Sequence, residues 1–110
     1  MILYHGSNVE VPEPKIVRSV RTLDFGSGFY TTANRKQAEN FSLRITPKRG
    51  TGAPTVSCYE FDEKALVGFR TKDFPALEAL KVRKLYNQYV FKSEAALAAL
   101  RFVGSEVIHG

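Results

Sequence analysis

The stretch GSGFYTTANRKQAENFSLRITP, residues 26–47, leads the chain from a turn through a strand into a helix. Gly26 and Gly28 indicate the turn, because glycine adopts positive φ at little steric cost. Residues 29–32, with the sequence FYTT, are aromatic and β-branched, which is typical of a strand. The stretch therefore predicts a strand that is followed directly by a helix.

The predicted helix has a clear start, an apolar face and an expected end. Thr32 or Asn34 can cap its first turn by accepting a hydrogen bond from an unpaired backbone N–H group. Spacings of three and four residues place one set of apolar side chains on a single helix face: Ala38, Phe41 and Ile45. Pro47 is expected to end the helix, because proline has no N–H group to donate.

Further strands and helices are predicted along the rest of the chain. The predicted strands are residues 2–4, 55–61, 88–91 and 102–108, and the predicted helices are residues 73–86 and 94–101. Leu77, Leu80 and Leu85 form the apolar stripe of the first of these helices, and Ser93 caps the second. The strands and helices do not alternate regularly, which favours the α+β class over a doubly wound sheet. A chain of 110 residues has the size of one domain, residues 1–110.

The composition is globular, with an excess of basic residues. Lysine and arginine number 16 against 11 aspartates and glutamates, which gives a net charge of +5. This charge favours anionic partners such as a dinucleotide, a nucleic acid or an acidic protein. The basic residues are scattered, so ordinary solvated faces are the alternative to a surface that binds phosphates. The same alternative applies to Arg18 and Arg21, two of these scattered residues.

Several classes of site and location are disfavoured by the sequence. No segment has the about 18 consecutive apolar residues of a membrane span, and the start MILYHGS does not resemble a signal peptide, so we expect a cytoplasmic protein. Cys58 is the only cysteine, which excludes an internal disulfide, and its predicted strand favours a buried structural thiol. Zinc-ligand spacings, the dinucleotide-binding GxGxxG, the P-loop and the GxSxG elbow are all missing from the sequence.

Three segments place polar residues at the edges of strand-like runs: LYHGS at residues 3–7, GSGFYTT at 26–32 and NQYVF at 87–91. Taken singly, each has an ordinary interpretation. His5 would be a surface histidine, Tyr30 a half-buried strand aromatic, and Gln88 a solvated residue at a strand end. Four neighbouring aromatic residues are expected in the core rather than at a ligand: Tyr4, Phe29, Tyr89 and Phe91.

Taken together, LYHGS, GFYTT and NQYVFKSEAALAALRF resemble a small bacterial family of the ADP-ribosyltransferase-like superfamily. That superfamily's His-Tyr-Glu class includes the diphtheria-toxin-like and poly(ADP-ribose) polymerase-like enzymes. The resemblance implies two small antiparallel sheets in a split arrangement, with flanking helices and NAD+ in the cleft between the sheets. Arg18 and Arg21 are then candidate contacts for the pyrophosphate of NAD+, with solvated loop residues as the alternative. Compared with that family, the chain is shortened between residues 69–74 and 76–85.

The resemblance also implies a role for each residue of a site. His5 would bond the ribose of the adenosine half of NAD+, Gly6 would let the backbone approach the nicotinamide amide, and Ser7 would add a hydrogen bond. Tyr30 would stack on the nicotinamide ring. Gln88 stands where many members have a glutamate, and would bond the ribose hydroxyl next to the bond that breaks. His5, Tyr30 and Gln88 are the expected catalytic residues, and no metal is expected.

The implied activity is NAD+-dependent mono-ADP-ribosylation of a macromolecular target, either a protein or a nucleic acid. A toxin or phage-defence setting with a neutralising antitoxin partner is expected by the same analogy. The alternative is a catalytically inactive module of the same fold that binds NAD+, ADP-ribose or nucleic acid. The neutral Gln88 and the shortened middle of the chain motivate this alternative.

Overall fold

The computed structural model describes residues 1–15, 28–62, 82–85, 88–91 and 94–109. These residues form an α+β domain with six strands and two helices. The strands are β1 (Ile2–Ser7), β2 (Phe29–Thr32), β3 (Thr55–Phe61), β4 (Val82–Leu85), β5 (Gln88–Phe91) and β6 (Leu100–Val107). The helices are α1 (Arg35–Arg49) and α2 (Glu94–Leu97). The predicted α+β class and the strands over residues 29–32, 55–61 and 88–91 are confirmed.

The six strands form one antiparallel sheet in the order β4-β5-β2-β1-β3-β6. Strand β1 pairs with β3 over its whole length, from Ile2↔Glu60 to Ser7↔Thr55. In contrast, the register between β1 and β2 is the single pair Tyr4↔Thr32. The expected two separate sheets are therefore, among the described residues, two three-stranded halves of one sheet. We call the narrow junction between β1 and β2 the seam.

An aromatic cluster fills the core of the domain. The rings of Phe61 and Phe91 meet edge to face at 5.3 Å between centroids, and those of Phe29 and Tyr59 do so at 5.6 Å. Such contacts are favoured because the positive edge of one ring meets the negative face of the other. Phe29, Tyr89 and Phe91 are buried, as expected from the sequence. Tyr4 is only partly buried and lines a cleft, so the prediction that it belongs to the core is wrong.

Helix α1 begins as predicted and ends later than predicted. The Asn34 side chain caps it by accepting a hydrogen bond from the backbone N–H of Gln37. Pro47 does not end the helix, which continues to Arg49. The proline removes one donor in the last turn, and the helix closes instead at Gly50, where φ is 77° and the N–H donates to the Thr46 carbonyl. Glycine at this position adopts the left-handed conformation without strain.

The predicted apolar face of α1 meets two different environments. Ala38 is buried against the sheet, whereas Phe41 is 42% exposed and Ile45 is partly buried. All three residues line the same cleft. The spacing of the apolar residues therefore predicted the correct face, but much of that face forms a cavity wall rather than a packed core.

Two predicted helices differ from the structure. Residues 82–85 form strand β4, because their backbone pairs with β5 from Val82↔Phe91 to Leu85↔Gln88. The rest of the helix predicted over residues 73–86 lies outside the described residues, as does Ser93. Helix α2 ends at Leu97, and the chain enters β6 at Leu100, where pairing with β3 satisfies the backbone. Leu97 is buried, as predicted.

Gly6 allows α1 to pack directly on β1. A Cβ atom at Gly6 would lie 2.2 Å from the backbone oxygen of Ala38 and 3.2 Å from the backbone nitrogen of Ser42. Because both neighbours are helix backbone, a larger residue can be accommodated only if the whole helix shifts. Helix α1 therefore lies where it does because residue 6 has no side chain.

We expect Gly6→Ala to lower the free energy of unfolding by about 1–3 kcal/mol, the usual range for overpacking a close contact. Gly104→Ala is the matched control, since no atom lies within 4 Å of a Cβ there. Urea denaturation of the two variants and the wild type measures the difference. Equal stabilities of the two variants would contradict this account of the helix contact.

Candidate functional site

A cleft of about 500 Å³ opens at the seam. Residues of β1, β2 and α1 line it, together with Gln88 at the start of β5. Its volume falls within the range of about 300–1,000 Å³ that is typical of small-molecule sites. The cleft lies at the position where the sheet has the fewest inter-strand pairs.

The side chain of His5 on β1 spans the seam and contacts β2. Its Nδ1 atom lies 2.7 Å from the carbonyl oxygen of Tyr30, and its ring stacks on Phe29 at 4.3 Å between centroids. A carbonyl oxygen can only accept a hydrogen bond, so Nδ1 carries the proton and donates it. The neutral ring then presents Nε2 as an acceptor, which suits a hydroxyl donor such as a ribose.

Burial keeps the His5 ring neutral. The pKa of His5 falls from 6.5 to about 4, mainly because burial disfavours the charged imidazolium, and the positive charge of Arg49 lowers the pKa further. The hydrogen bond to Tyr30 acts in the opposite direction on this pKa, but is the smaller effect of the two. At neutral pH His5 is therefore an acceptor at Nε2 and not a cation.

Tyr30 and Gln88 line the same cleft as His5. Both are partly buried, and they lie on neighbouring strands, with Gln88 opposite Thr32 in the ladder between β2 and β5. The structure thus brings together the three predicted catalytic positions, which come from the first, second and fifth strands.

The two residues that follow His5 have different surroundings. Gly6 lines the cleft, but its lack of a side chain is already required by the contact with α1. Ser7 does not line the cleft. It is 4% exposed, and its hydroxyl donates to Oδ1 of Asn8. Asn8 in turn donates to the carbonyl of Thr51, so Ser7 belongs to the packing of the loop that follows α1.

Helix α1 contributes cleft residues that were not predicted from the sequence as ligand contacts. Gln37 accepts a hydrogen bond from the Thr32 hydroxyl at 2.7 Å, which leaves its amide N–H groups as donors. Phe41 presents an exposed aromatic side chain, and Arg44 lies over its ring at 5.6 Å. Arg49 lies closer to β1 and donates to Oδ1 of Asn8 at 2.8 Å.

Helical spacing places these residues on one face of α1, but it does not show that this face borders a cleft. Six residues of α1 line the cleft from this face: Gln37, Ala38, Phe41, Arg44, Ile45 and Arg49. The sequence left the basic residues open between solvated faces and a surface that binds phosphates, because charge along a sequence does not show which side of a helix meets a cavity. Arg18 and Arg21, its candidates for a pyrophosphate contact, lie outside the described residues.

The electrostatic character of the cleft is positive. Two arginines line it, and no aspartate or glutamate is found among the described residues that do so. Arg35, at the start of the same helix, differs because it forms ion pairs with Glu39 and Glu106. Within the described part of the chain, no three acidic, histidine or cysteine side chains are grouped as they would be to hold a metal ion. The cleft therefore suits a ligand with hydroxyl, aromatic and anionic groups.

Comparison with known proteins adds a family. The profile of a family described as "Protein of unknown function (DUF3990)" matches residues 1–77. The chain belongs to this family. The DUF3990 match includes His5, Tyr30 and the whole of α1, whereas Gln88 lies beyond it. Neither a curated protein nor a solved structure gives a significant match.

Two further predictions concern the lone cysteine and the membrane. Cys58 lies in strand β3 as predicted, is partly buried, and has its pKa raised by that burial. A raised pKa disfavours the thiolate, in keeping with a structural thiol. None of the described helices has the length and apolar character needed to span a membrane.

The lowered pKa of His5 predicts a loss of stability in acid. The unfolded chain takes up the proton near pH 6.5 and the folded protein only near pH 4, so stability falls as the pH drops through this window. The full effect is at most about 3 kcal/mol, at 1.36 kcal/mol per unit of pKa. We expect wild type to lose more stability than His5→Asn between pH 7 and pH 4.

Asparagine at position 5 keeps an amide donor for the Tyr30 carbonyl but does not titrate. All other titrating groups are shared by the two proteins, so the difference between their denaturation curves isolates His5. Curves that stay parallel across this pH range would show that His5 is protonated equally in the folded and unfolded states.

Proposed function

We propose that this protein is an NAD+-dependent mono-ADP-ribosyltransferase that modifies a macromolecular target. The observation that carries the proposal is the convergence of His5, Tyr30 and Gln88 on one cleft. These are the three positions at which the sequence resembles the His-Tyr-Glu class. Because they lie on three different strands, nothing in their local sequence requires them to meet.

The surroundings of the cleft are compatible with NAD+. The neutral His5 offers an acceptor at Nε2 for a ribose hydroxyl, and Tyr30 offers an aromatic face for the nicotinamide ring. Past Tyr4, β1 has no partner on β2 in the described ladder, so the β1 edge at His5 and Gly6 borders the cleft. A strand edge of this kind can offer backbone groups to the nicotinamide amide.

The proposed reaction breaks the bond between nicotinamide and ribose. Nicotinamide leaves with the bonding electron pair, and a nucleophile on the target forms the new bond to the same ribose carbon and loses its proton. Positive charge develops on the ribose as the bond breaks. The protein would act by orienting the two reactants and by excluding water from the cleft.

Gln88 makes the proposed enzyme a slow one. Its amide can bond the ribose hydroxyl beside the breaking bond, but it carries no charge to stabilise the developing oxocarbenium ion. The loss of one preorganised electrostatic contact typically costs about 3–4 kcal/mol, or roughly 10²–10³ in rate. The target itself would then supply part of the missing charge.

A second candidate function is an inactive module that binds NAD+ or ADP-ribose. The observation that favours it is the composition of the cleft, since the described residues lining it include no carboxylate. This module would use the same His5 and Tyr30 contacts but would not release nicotinamide. The cytoplasmic location, the toxin or phage-defence setting and the antitoxin partner stay predictions from sequence.

The test is nicotinamide release from NAD+, with and without cell lysate as the source of target. Wild type is expected to release nicotinamide, Tyr30→Phe to retain most of the activity because it keeps the ring, and Tyr30→Ala to lose it. Thermal melts check that each variant is folded. If folded wild type binds NAD+ but releases no nicotinamide under any condition, the inactive module is the correct function.

Gln88→Glu is expected to raise the rate of nicotinamide release about 10²–10³-fold, because it restores a charge beside the ribose. The affinity for NAD+ should change much less, since the amide and the carboxylate both accept a hydrogen bond from the hydroxyl. Gln37→Glu adds the same charge elsewhere on the cleft wall and serves as the matched control. An equal gain from both variants would show that position 88 has no special place in the reaction.

A further inference from the structure

Two arginines of α1 line the cleft without a carboxylate partner among the described residues. Arg44 stacks over the ring of Phe41 at 5.6 Å, and Arg49 is held by Oδ1 of Asn8 at 2.8 Å. A cation–π contact and an amide oxygen each orient a guanidinium without neutralising it. Both side chains thus keep their positive charge at the cleft.

Arg49 acts electrostatically on the inside of the cleft. Its positive charge contributes to the lowered pKa of His5, in keeping with the place of both residues in the lining of the cleft. His5 and Arg49 also share the neighbourhood of β1, since Asn8 follows that strand directly. His5 and Arg49 therefore both face a ligand that occupies the cleft.

The position of Arg49 at the end of α1 has a purely structural explanation as well. A cation in the last turn of a helix is favoured by the partial negative charge of the C-terminal carbonyls. This effect fades beyond the last turn, and Arg44 lies five residues before the end of the helix. The helix dipole therefore does not explain why two arginines of α1 line one cleft.

We propose that Arg44 and Arg49 form an anion subsite that binds the diphosphate of a nucleotide. Guanidinium groups suit this role, because their planar donors match phosphate oxygens in pairs. The proposal deepens the proposed function by naming the part of the substrate that these arginines hold, and in that sense it rests on that function. Its test uses ligands that cannot react.

The size and walls of the cleft favour a nucleotide over a nucleic acid backbone. Both arginines line a cavity of about 500 Å³ that also contains Tyr30 and Phe41. A concave site with aromatic walls encloses a small ligand, whereas nucleic acid backbones follow extended basic grooves. The aromatic rings supply faces for a flat base or nicotinamide, and the arginines supply the charge for the link between them.

The experiment is isothermal titration of ADP, adenosine and inorganic pyrophosphate into wild type, Arg44→Gln and Arg49→Gln. The matched control is Arg101→Gln, which removes one charge from the exposed arginine on β6, outside the cleft. We expect each cleft variant to weaken ADP and pyrophosphate binding about tenfold or more, as for a lost charge-assisted hydrogen bond. Adenosine binding should stay unchanged in all variants.

The design separates the subsite from the transferase activity. Weaker ADP binding in Arg44→Gln and Arg49→Gln, with Arg101→Gln like wild type, supports the subsite even if nicotinamide is never released. Equal effects of all three substitutions would overturn the subsite, because such a result reflects only the overall charge of the protein. The transferase proposal would then remain intact. Arg49→Gln can also loosen the contact with Asn8. Arg44→Gln is therefore the decisive variant, provided that its thermal melt is the same as that of wild type.

A nucleic acid arm completes the test. A single-stranded oligonucleotide that binds through Arg44 and Arg49, in protein that does not bind ADP or pyrophosphate, would overturn the nucleotide subsite in favour of a phosphodiester site. Displacement of the oligonucleotide by ADP would instead support a subsite that belongs to the nucleotide.

Discussion

The junction between β1 and β2 is the constraint on which the rest of the structure depends. One backbone pair, Tyr4↔Thr32, joins the two halves of the sheet, and the side chain of His5 makes the next connection through the Tyr30 carbonyl. A side chain thus stands where a longer ladder would otherwise close the sheet. The cleft exists because the strands separate here, and the His5 ring is neutral because it is buried in the same place.

Helix α1 forms one wall of the cleft at this junction. Its approach to β1 is set by Gly6, whose missing side chain lets the helix backbone lie against the strand. The same approach brings Phe41, Arg44 and Arg49 to the cleft. A larger residue at position 6 would therefore disturb the fold and the cleft together, so a loss of function in such a variant would not by itself identify Gly6 as a ligand contact.

Much of the fold and part of the site could be predicted from residue patterns. The strand-forming sequence of residues 29–32 and the capping Asn34 are local features, and local features determine where strands and helices begin. The predicted end of α1 at Pro47 was wrong, because Gly50 offers a better place to close the helix. The strand at residues 82–85 was missed because a stripe of leucines predicted a helix there, whereas the backbone pairs with the neighbouring strand β5.

The predicted positions His5, Tyr30 and Gln88 rest on the resemblance to the ADP-ribosyltransferase-like superfamily, whereas the sequence by itself determined the α+β class and most of the strands. It could do so because periodicity, turn residues and short motifs reflect local backbone preferences. Only the tertiary structure decided that these positions share a cleft, that Ser7 does not line it, and that Arg44 and Arg49 do. The physical reason is that strand order, the single pair at the seam and the contact of α1 with β1 depend on residues far apart in the chain.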